Sequence, residues 1–193
     1  MRVFVLYAHP VETSFVSALH TRVVETLRLK GHDVDDCDLY AEGFNPVLSR
    51  SERMGYHDLD HNRAPVDRYV QRVLDAEAMV MVHPVWNFGY PAMLKGFFDR
   101  VFLPGVSFRM QDGKVRPCLH NIRKLCTVTT YGGSRVRALL AGDPPRKVTN
   151  RVLRVTIKPA APVSYLAHYD MNRSTPETRA AFLAKVTETM EAF

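Results

Sequence analysis

Apolar runs and apolar residues at helical spacing alternate along most of the chain. Residues 2–8 form a short, nearly continuous apolar run, which predicts a strand buried on both faces. Four apolar residues then recur at the spacing of one helix face, Phe15, Leu19, Val23 and Leu27. Gly31 marks the end of this helix. The pattern therefore opens with a buried strand and an amphipathic helix.

The same alternation continues to the last residues. Further strands are predicted at 32–39, 78–83, 124–130 and 162–168, the second of these closed by Pro84. Helices are predicted over 66–77, from Pro91 onwards, and from a capping sequence at 174–177. Residues 40–64 show no regular pattern. Strands separated by helices are typical of a parallel sheet covered on both faces, so we predict one α/β domain spanning residues 1–193.

Three loops follow predicted strands at the edge where such sheets bind ligands. Loop 9–15 has hydroxyls at a helix start, which suit a phosphate but also serve as an ordinary cap. Loop 83–91 holds the only Trp together with a Phe and a Tyr, which suit a flat ligand or a neighbouring subunit. Loop 129–134 has paired glycines, which allow close approach to a planar ligand or a tight turn. Together the three loops predict a ligand site.

The composition is that of a globular protein, with 46% hydrophobic and 24% charged residues among 193. The net charge of +6 is locally concentrated around Arg135, Arg137, Arg146, Lys147, Arg151 and Arg154. The chain shows no docking helix or interleaved aromatic and basic strands, so we expect no nucleic-acid partner. Phosphate-bearing small molecules or a solvated basic face account for the charge.

Cysteine usage and hydropathy restrict the cellular setting. Cys37, Cys118 and Cys126 lie far apart, without metal-ligand spacing, so we expect neither a disulfide framework nor a metal site. No apolar stretch reaches the roughly 18 residues that span a bilayer, so we expect no membrane insertion. The N-terminus runs directly into His9-Pro10 and reads as a strand rather than a signal sequence. We therefore expect a cytoplasmic protein.

Three sequence motifs carry a resemblance to a known family. They are YAHPVETSFVSAL, HPVWNFGYPAMLKGFFDRVFLPGVSF and TTYGG. At these residues the chain resembles the flavodoxin-like NAD(P)H:quinone oxidoreductases, and NF.YP and TTYGG are also similar to the bacterial FMN-dependent azoreductases. The resemblance implies a flavodoxin-like three-layer sandwich with a five-stranded parallel sheet in the order 2-1-3-4-5.

The resemblance also implies site residues and an assembly. The flavin contacts it implies are His9, Thr13, Ser14, Phe15, Pro84, Val85, Trp86, Asn87, Phe88, Gly89, Thr130, Tyr131, Gly132 and Gly133. Larger family members carry a Tyr and a His after the double glycine, whereas residues 135–141 here hold neither, which leaves Tyr131 as the candidate catalytic residue. Family members are usually homodimers, and residues 40–64 and 102–121 are where such an interface would be built.

The function implied is a flavin-dependent NAD(P)H:quinone oxidoreductase that reduces quinone-like, azo or nitroaromatic acceptors by ping-pong hydride transfer through flavin N5. FMN is the expected cofactor, with FAD as a close alternative, and NADH against NADPH stays open. A flavodoxin-type electron carrier is a second reading, although such carriers tend to be acidic. An ancillary regulatory subunit of a potassium-efflux system is a third.

Overall fold

The computed structural model describes residues 1–193 and is built on a five-stranded parallel sheet. Its strands are β1 (Arg2–Tyr7), β2 (Asp33–Asp38), β3 (Ala78–Val85), β6 (Leu125–Tyr131) and β7 (Val163–His168). Two further strands, β4 (Phe108–Gln111) and β5 (Lys114–Pro117), form a separate antiparallel hairpin. The main sheet runs β2-β1-β3-β6-β7, so the predicted order 2-1-3-4-5 is confirmed.

Eight α-helices surround the sheet or extend its loops. They are α1 (Phe15–Leu29), α2 (Arg50–Met54), α3 (Asp67–Asp75), α4 (Ala92–Val101), α5 (Arg135–Leu140), α6 (Pro144–Lys147), α7 (Arg154–Thr156) and α8 (Pro176–Glu191). A π-helix, Val148–Leu153, joins α6 to α7. Short 3-10 turns occupy Ala64–Val66 and Met171–Arg173. No helix has both the length and the apolar character needed to cross a membrane.

The sheet is covered on both faces because alternate residues of each strand point in opposite directions. Phe4 and Leu6 of β1 belong to one buried cluster with residues of α3 and α4. Val3 and Val5 belong to a second cluster with residues of α1 and α8. Burial of β1 on both faces explains why residues 2–8 form a nearly continuous apolar run.

Strand β3 extends further than predicted, through Pro84 to Val85. The Val82 carbonyl accepts a hydrogen bond from the Ala8 N–H at 3.1 Å, so Val82 faces β1. Pro84 lies two residues further and faces the same side, where β1 has already ended at Tyr7. The proline therefore removes no ladder hydrogen bond, and β3 continues because its other side still pairs with β6.

The region 40–64, predicted as irregular, contains one short helix and is fixed to α4 by a buried arginine. Arg100 donates from Nε to Glu52 Oε1 at 2.7 Å and from Nη1 to the Asn45 carbonyl at 2.5 Å. Glu52 also closes a capping box with Ser49 at the start of α2. Burial opposes ionisation of Glu52, but the hydrogen bonds from Ser49 and Arg100 prevail and lower its pKa.

Close approach of this region to α4 requires a glycine. A Cβ on Gly96 would lie 2.3 Å from the Pro46 carbonyl oxygen and 2.4 Å from the Pro46 Cβ. We expect Gly96→Ala to lower the free energy of unfolding by about 1–3 kcal/mol, since backbone must move to admit the methyl group. Urea unfolding measures this. Gly55→Ala is the matched control, because its Cβ would meet only the Ser51 carbonyl at 3.6 Å. Equal stabilities of the two variants would contradict the packing described.

Candidate functional site

Two adjoining cavities open at the carboxyl ends of β1, β3 and β6, and we call them the edge cavities. The first has a volume of about 300 Å³ and is lined by His9, Ser14, Phe15, Val16, Pro84, Val85, Trp86, Thr130, Gly132, Met171 and Asn172. The second has about 270 Å³ and is lined by Val85, Asn87, Phe88, Tyr131, Gly132, Gly133, Arg137 and Asn172. They share Val85, Gly132 and Asn172, so the three predicted loops meet at one place.

Twelve of the fourteen predicted site residues line the edge cavities, and Thr13 and Gly89 do not. The sequence reasoning missed Val16, Met171 and Asn172, and it named Arg137 only within the basic segment that suits phosphate-bearing molecules. Met171 and Asn172 lie in the loop after β7, which ends at the same edge of the sheet as β6. The predicted strand order already places the fourth and fifth strands side by side. The loop after the fifth strand could therefore have been added to the three candidate loops from the sequence.

The N-terminus of α1 forms one wall of the first cavity. Ser14 caps the helix by accepting the Ser17 N–H at 3.1 Å, and no acidic side chain lies in the first turn. The first N–H groups of a helix have no partners within it and carry partial positive charge. Nearby, burial lowers the pKa of His9, whose Nδ1 accepts the Val11 N–H at 3.0 Å. This wall therefore suits an anionic group such as a phosphate.

A strained turn holds the aromatic side chains of the second loop. Trp86 and Gly89 exchange backbone hydrogen bonds of 3.2 and 2.8 Å across it. Asn87 and Phe88 between them have φ of 48° and 57°, in the left-handed region that costs non-glycine residues of the order of 1–3 kcal/mol each. Trp86 and Phe88 remain 42% and 41% exposed. The turn thus keeps two large aromatic side chains in solvent beside a cavity, a costly arrangement typical of a binding site.

Tyr131 contributes to the cavity wall while its hydroxyl is engaged in a buried network. The hydroxyl donates to Asp143 Oδ1 at 2.6 Å and lies 2.7 Å from the Tyr165 hydroxyl. Arg146 donates to Asp143 Oδ2 at 2.9 Å and to the Tyr169 hydroxyl at 2.7 Å. Burial raises the pKa of Tyr131 far above its ordinary value, so its phenol stays protonated. Its catalytic role stays a prediction.

His83 lies in β3 directly before the aromatic loop and is fully buried. Its Nδ1 donates to the Pro84 carbonyl at 2.9 Å, whereas Nε2 has no hydrogen-bond partner. Burial lowers the pKa of His83 to about 4, so the ring is neutral near pH 7. A buried neutral imidazole thus supports the strand end on which the loop is mounted.

Comparisons with known proteins show the family to which this chain belongs. A family model described as flavodoxin-like fold matches residues 1–187. The chain belongs to this family. The protein Smu.1420 from Streptococcus mutans UA159 superposes with a TM-score of 0.86 at 25% identity over the whole of both chains. An NAD(P)H:quinone oxidoreductase from Methanothermobacter marburgensis superposes with a TM-score of 0.84 at 22% identity, over 99% of this chain and 98% of that one.

Two curated relatives are 31% and 30% identical in sequence to this chain over most of its length. Rat NAD(P)H dehydrogenase [quinone] 1 is 31% identical over 154 residues, which cover 72% of this chain and 56% of the rat protein. The Escherichia coli protein called uncharacterized NAD(P)H oxidoreductase YcaK is 30% identical over 139 residues, which cover 69% of this chain and 66% of that protein. The chain thus spans between half and two thirds of the relatives' length, and the resemblance stated from the motifs is confirmed.

The pKa of His83 predicts how stability depends on pH. Between its ordinary value of 6.5 and about 4 the unfolded chain binds a proton that the folded chain does not, so stability falls as pH falls through this window. At about 1.4 kcal/mol per unit of pKa, the loss amounts to roughly 3 kcal/mol. We expect His83→Gln to remove this part of the dependence in urea unfolding at pH 7 and pH 4.5. The exposed His57→Gln is the control, and an unchanged dependence in His83→Gln would contradict the burial of a neutral ring.

Proposed function

We propose that this flavodoxin-like chain is a flavin-dependent NAD(P)H:quinone oxidoreductase. One observation carries the proposal: a helix N-terminus, exposed aromatic side chains and a double glycine surround adjoining cavities at a single sheet edge. A flavin has a phosphate, a flat ring and a polar ring edge, which match these three walls. The names of the curated relatives support a nicotinamide donor and a quinone acceptor.

The first edge cavity fits an uncharged flat ring. No Asp, Glu, Lys or Arg lines it, and apolar side chains of Phe15, Val85 and Trp86 alternate with backbone and hydroxyl groups. A Cβ on Gly132 would stand 3.5 Å from the Asn172 side chain, so the missing side chain leaves space in the wall that both cavities share. We propose FMN as the cofactor, with its phosphate at Ser14 and FAD as the alternative.

Bound flavin would supply the two-electron chemistry, and the residues of the chain would bind and orient the reactants. Trp86 and Phe88 would cover the ring and exclude water. Backbone N–H groups of Gly132 and Gly133 would donate to the edge of the heterocycle, and Arg137 would place a positive charge beside it. We propose that Tyr131 acts by position, since its buried hydroxyl fixes the wall through Asp143.

Enzyme assays with added FMN test this function. We expect oxidation of NAD(P)H that depends on added benzoquinone, with the parallel double-reciprocal lines of a ping-pong cycle. Gly132→Val would fill the shared wall and lower both FMN affinity and turnover by about tenfold or more. Gly55→Val, whose new side chain lies away from the edge cavities, would retain both. No quinone-dependent turnover in FMN-loaded wild-type protein would contradict the proposal.

We propose further that the protein is a cytoplasmic homodimer. Large apolar side chains are more than half exposed in both regions where an interface was expected, and these are Val47, Met54, Leu59, Met110 and Val115. The two regions are in contact, because Asn62 donates to the Pro104 carbonyl at 3.0 Å and Leu59 reaches the position of Gly105, and we propose that their exposed apolar side chains form the interface surface. The three cysteines are free thiols, two of them buried, which supports a reducing compartment.

Measuring the mass in solution tests the dimer. We expect twice the chain mass of 22.0 kDa by light scattering after size-exclusion chromatography. Leu59→Asp would shift the population towards monomer, because a carboxylate would be buried in the interface. Leu140→Asp serves as the control, since Leu140 is 84% exposed but lies outside this surface. A wild-type monomer, or equal effects of the two variants, would exclude the proposed interface.

A further inference from the structure

A third cavity, which we call the basic cavity, lies beside the edge cavities on the far side of α5. It has a volume of about 320 Å³ and is lined by Leu139, Gly142, Asp143, Arg146, Lys147, Asn150 and Arg151. Three of these seven side chains are cationic and one is anionic. Part of the wall is the π-helix Val148–Leu153, and such helices occur frequently at functional sites. The cavity therefore combines a concave shape with an excess of positive charge.

The basic cavity lies in the segment that holds the net charge of the molecule. Residues 135–158 contain seven Lys and Arg and a single acidic residue, Asp143. This surplus of six equals the net charge of +6 of the whole chain, so the remainder is balanced. Because the positive charges are clustered in one segment, they attract anions and raise the local anion concentration.

The acidic residue of the cavity pairs with only one of the three cations around it. Asp143 is buried, and its carboxylate accepts hydrogen bonds from the Tyr131 hydroxyl and from Nε of Arg146. Lys147 and Arg151 form no ion pair with a carboxylate, and they stand four residues apart on one wall. Like charges at this spacing destabilise a helix. An anion between them would remove this repulsion and gain charge-assisted hydrogen bonds.

Helix α5 connects the basic cavity to the edge cavities. Arg137 of α5 lines the second edge cavity, and Leu139 lines the basic cavity. These two residues are two positions apart in a six-residue helix, so their side chains leave it on nearly opposite faces and the helix separates the two cavities. Tyr131 forms a second link, because it lines the edge cavity and its hydroxyl binds Asp143 of the basic cavity. A ligand that starts in one cavity can therefore end in the other.

We propose that the basic cavity binds the 2′-phosphate of a nicotinamide dinucleotide, so that this protein prefers NADPH to NADH. The inference rests on the proposed function, since the nicotinamide must lie at the edge cavities. Arg137 then meets the pyrophosphate between the two sites. Leu139, which is 60% exposed, offers an apolar surface to the adenosine. Lys147 and Arg151 bind the terminal phosphate, which NADH lacks. The concave shape favours a small phosphate ligand over an anionic membrane surface.

Calorimetric titration of the FMN-loaded protein tests the proposal with NADP⁺, NAD⁺ and adenosine 2′,5′-bisphosphate. We expect NADP⁺ to bind about tenfold or more tightly than NAD⁺, as charged hydrogen bonds to one extra phosphate allow. Lys147→Gln and Arg151→Gln would each weaken NADP⁺ and the bisphosphate by about fivefold or more and leave NAD⁺ unchanged. Arg154→Gln is the matched control, because Arg154 carries the same charge in the same segment but does not line the cavity.

Equal affinities for NADP⁺ and NAD⁺, or equal effects of Arg154→Gln and Arg151→Gln, would overturn the inference. Binding to phosphatidylserine vesicles that requires Lys147 and Arg151, without discrimination between the dinucleotides, would also overturn it. Repeating the bisphosphate titration on flavin-free protein separates the two proposals. Tight binding that depends on Lys147 and Arg151, in a protein without quinone reductase activity, would support the phosphate site and reject the proposed function.

Discussion

Burial of the central strand β3 on both faces is the constraint on which the other elements depend. All eight of its residues are buried, and it lies between β1 and β6 in the middle of the sheet. A strand in this position can carry no polar face, so helices must cover both sides. The two apolar clusters, one against α3 and α4 and the other against α1 and α8, are the consequence.

The same strand also creates the site. Because β3 continues past the end of β1 while still pairing with β6, its last residues, Pro84 and Val85, stand at a step in the sheet edge. The strained turn at Asn87 and Phe88 follows directly after these residues and is held in place by them. Rigid strand ends thus fix a loop whose backbone and side chains are costly to hold, which is how a preorganised binding site is built.

An element can be predicted from the sequence when its own residues show a periodic apolar pattern. Four of the five main strands and the helices α1, α3, α4 and α8 carry a clear apolar pattern, β2 alternates only weakly, and the prediction of all of them is confirmed. The hairpin β4–β5 and the helical segment from α5 to α7 were not predicted. Residues of β4 and β5 are largely exposed, and Leu139 and Leu140 of α5 point apolar side chains into solvent, so neither segment shows a buried face. The site was predicted from three loops, and the strand order also indicates Asn172 in the loop after β7. The basic cavity, which is lined by residues between Leu139 and Arg151, depends on the local fold of a segment that shows no apolar periodicity.

The single tryptophan offers the most direct test of the central claim that the edge cavities bind a flavin. Trp86 is the only Trp in the chain and lines the first edge cavity. Titrating FMN into flavin-free protein while following tryptophan fluorescence therefore reports on this site alone. The account predicts saturable quenching with one FMN per chain. Fluorescence that stays unchanged while FMN is added, or a linear decrease without saturation, would contradict it.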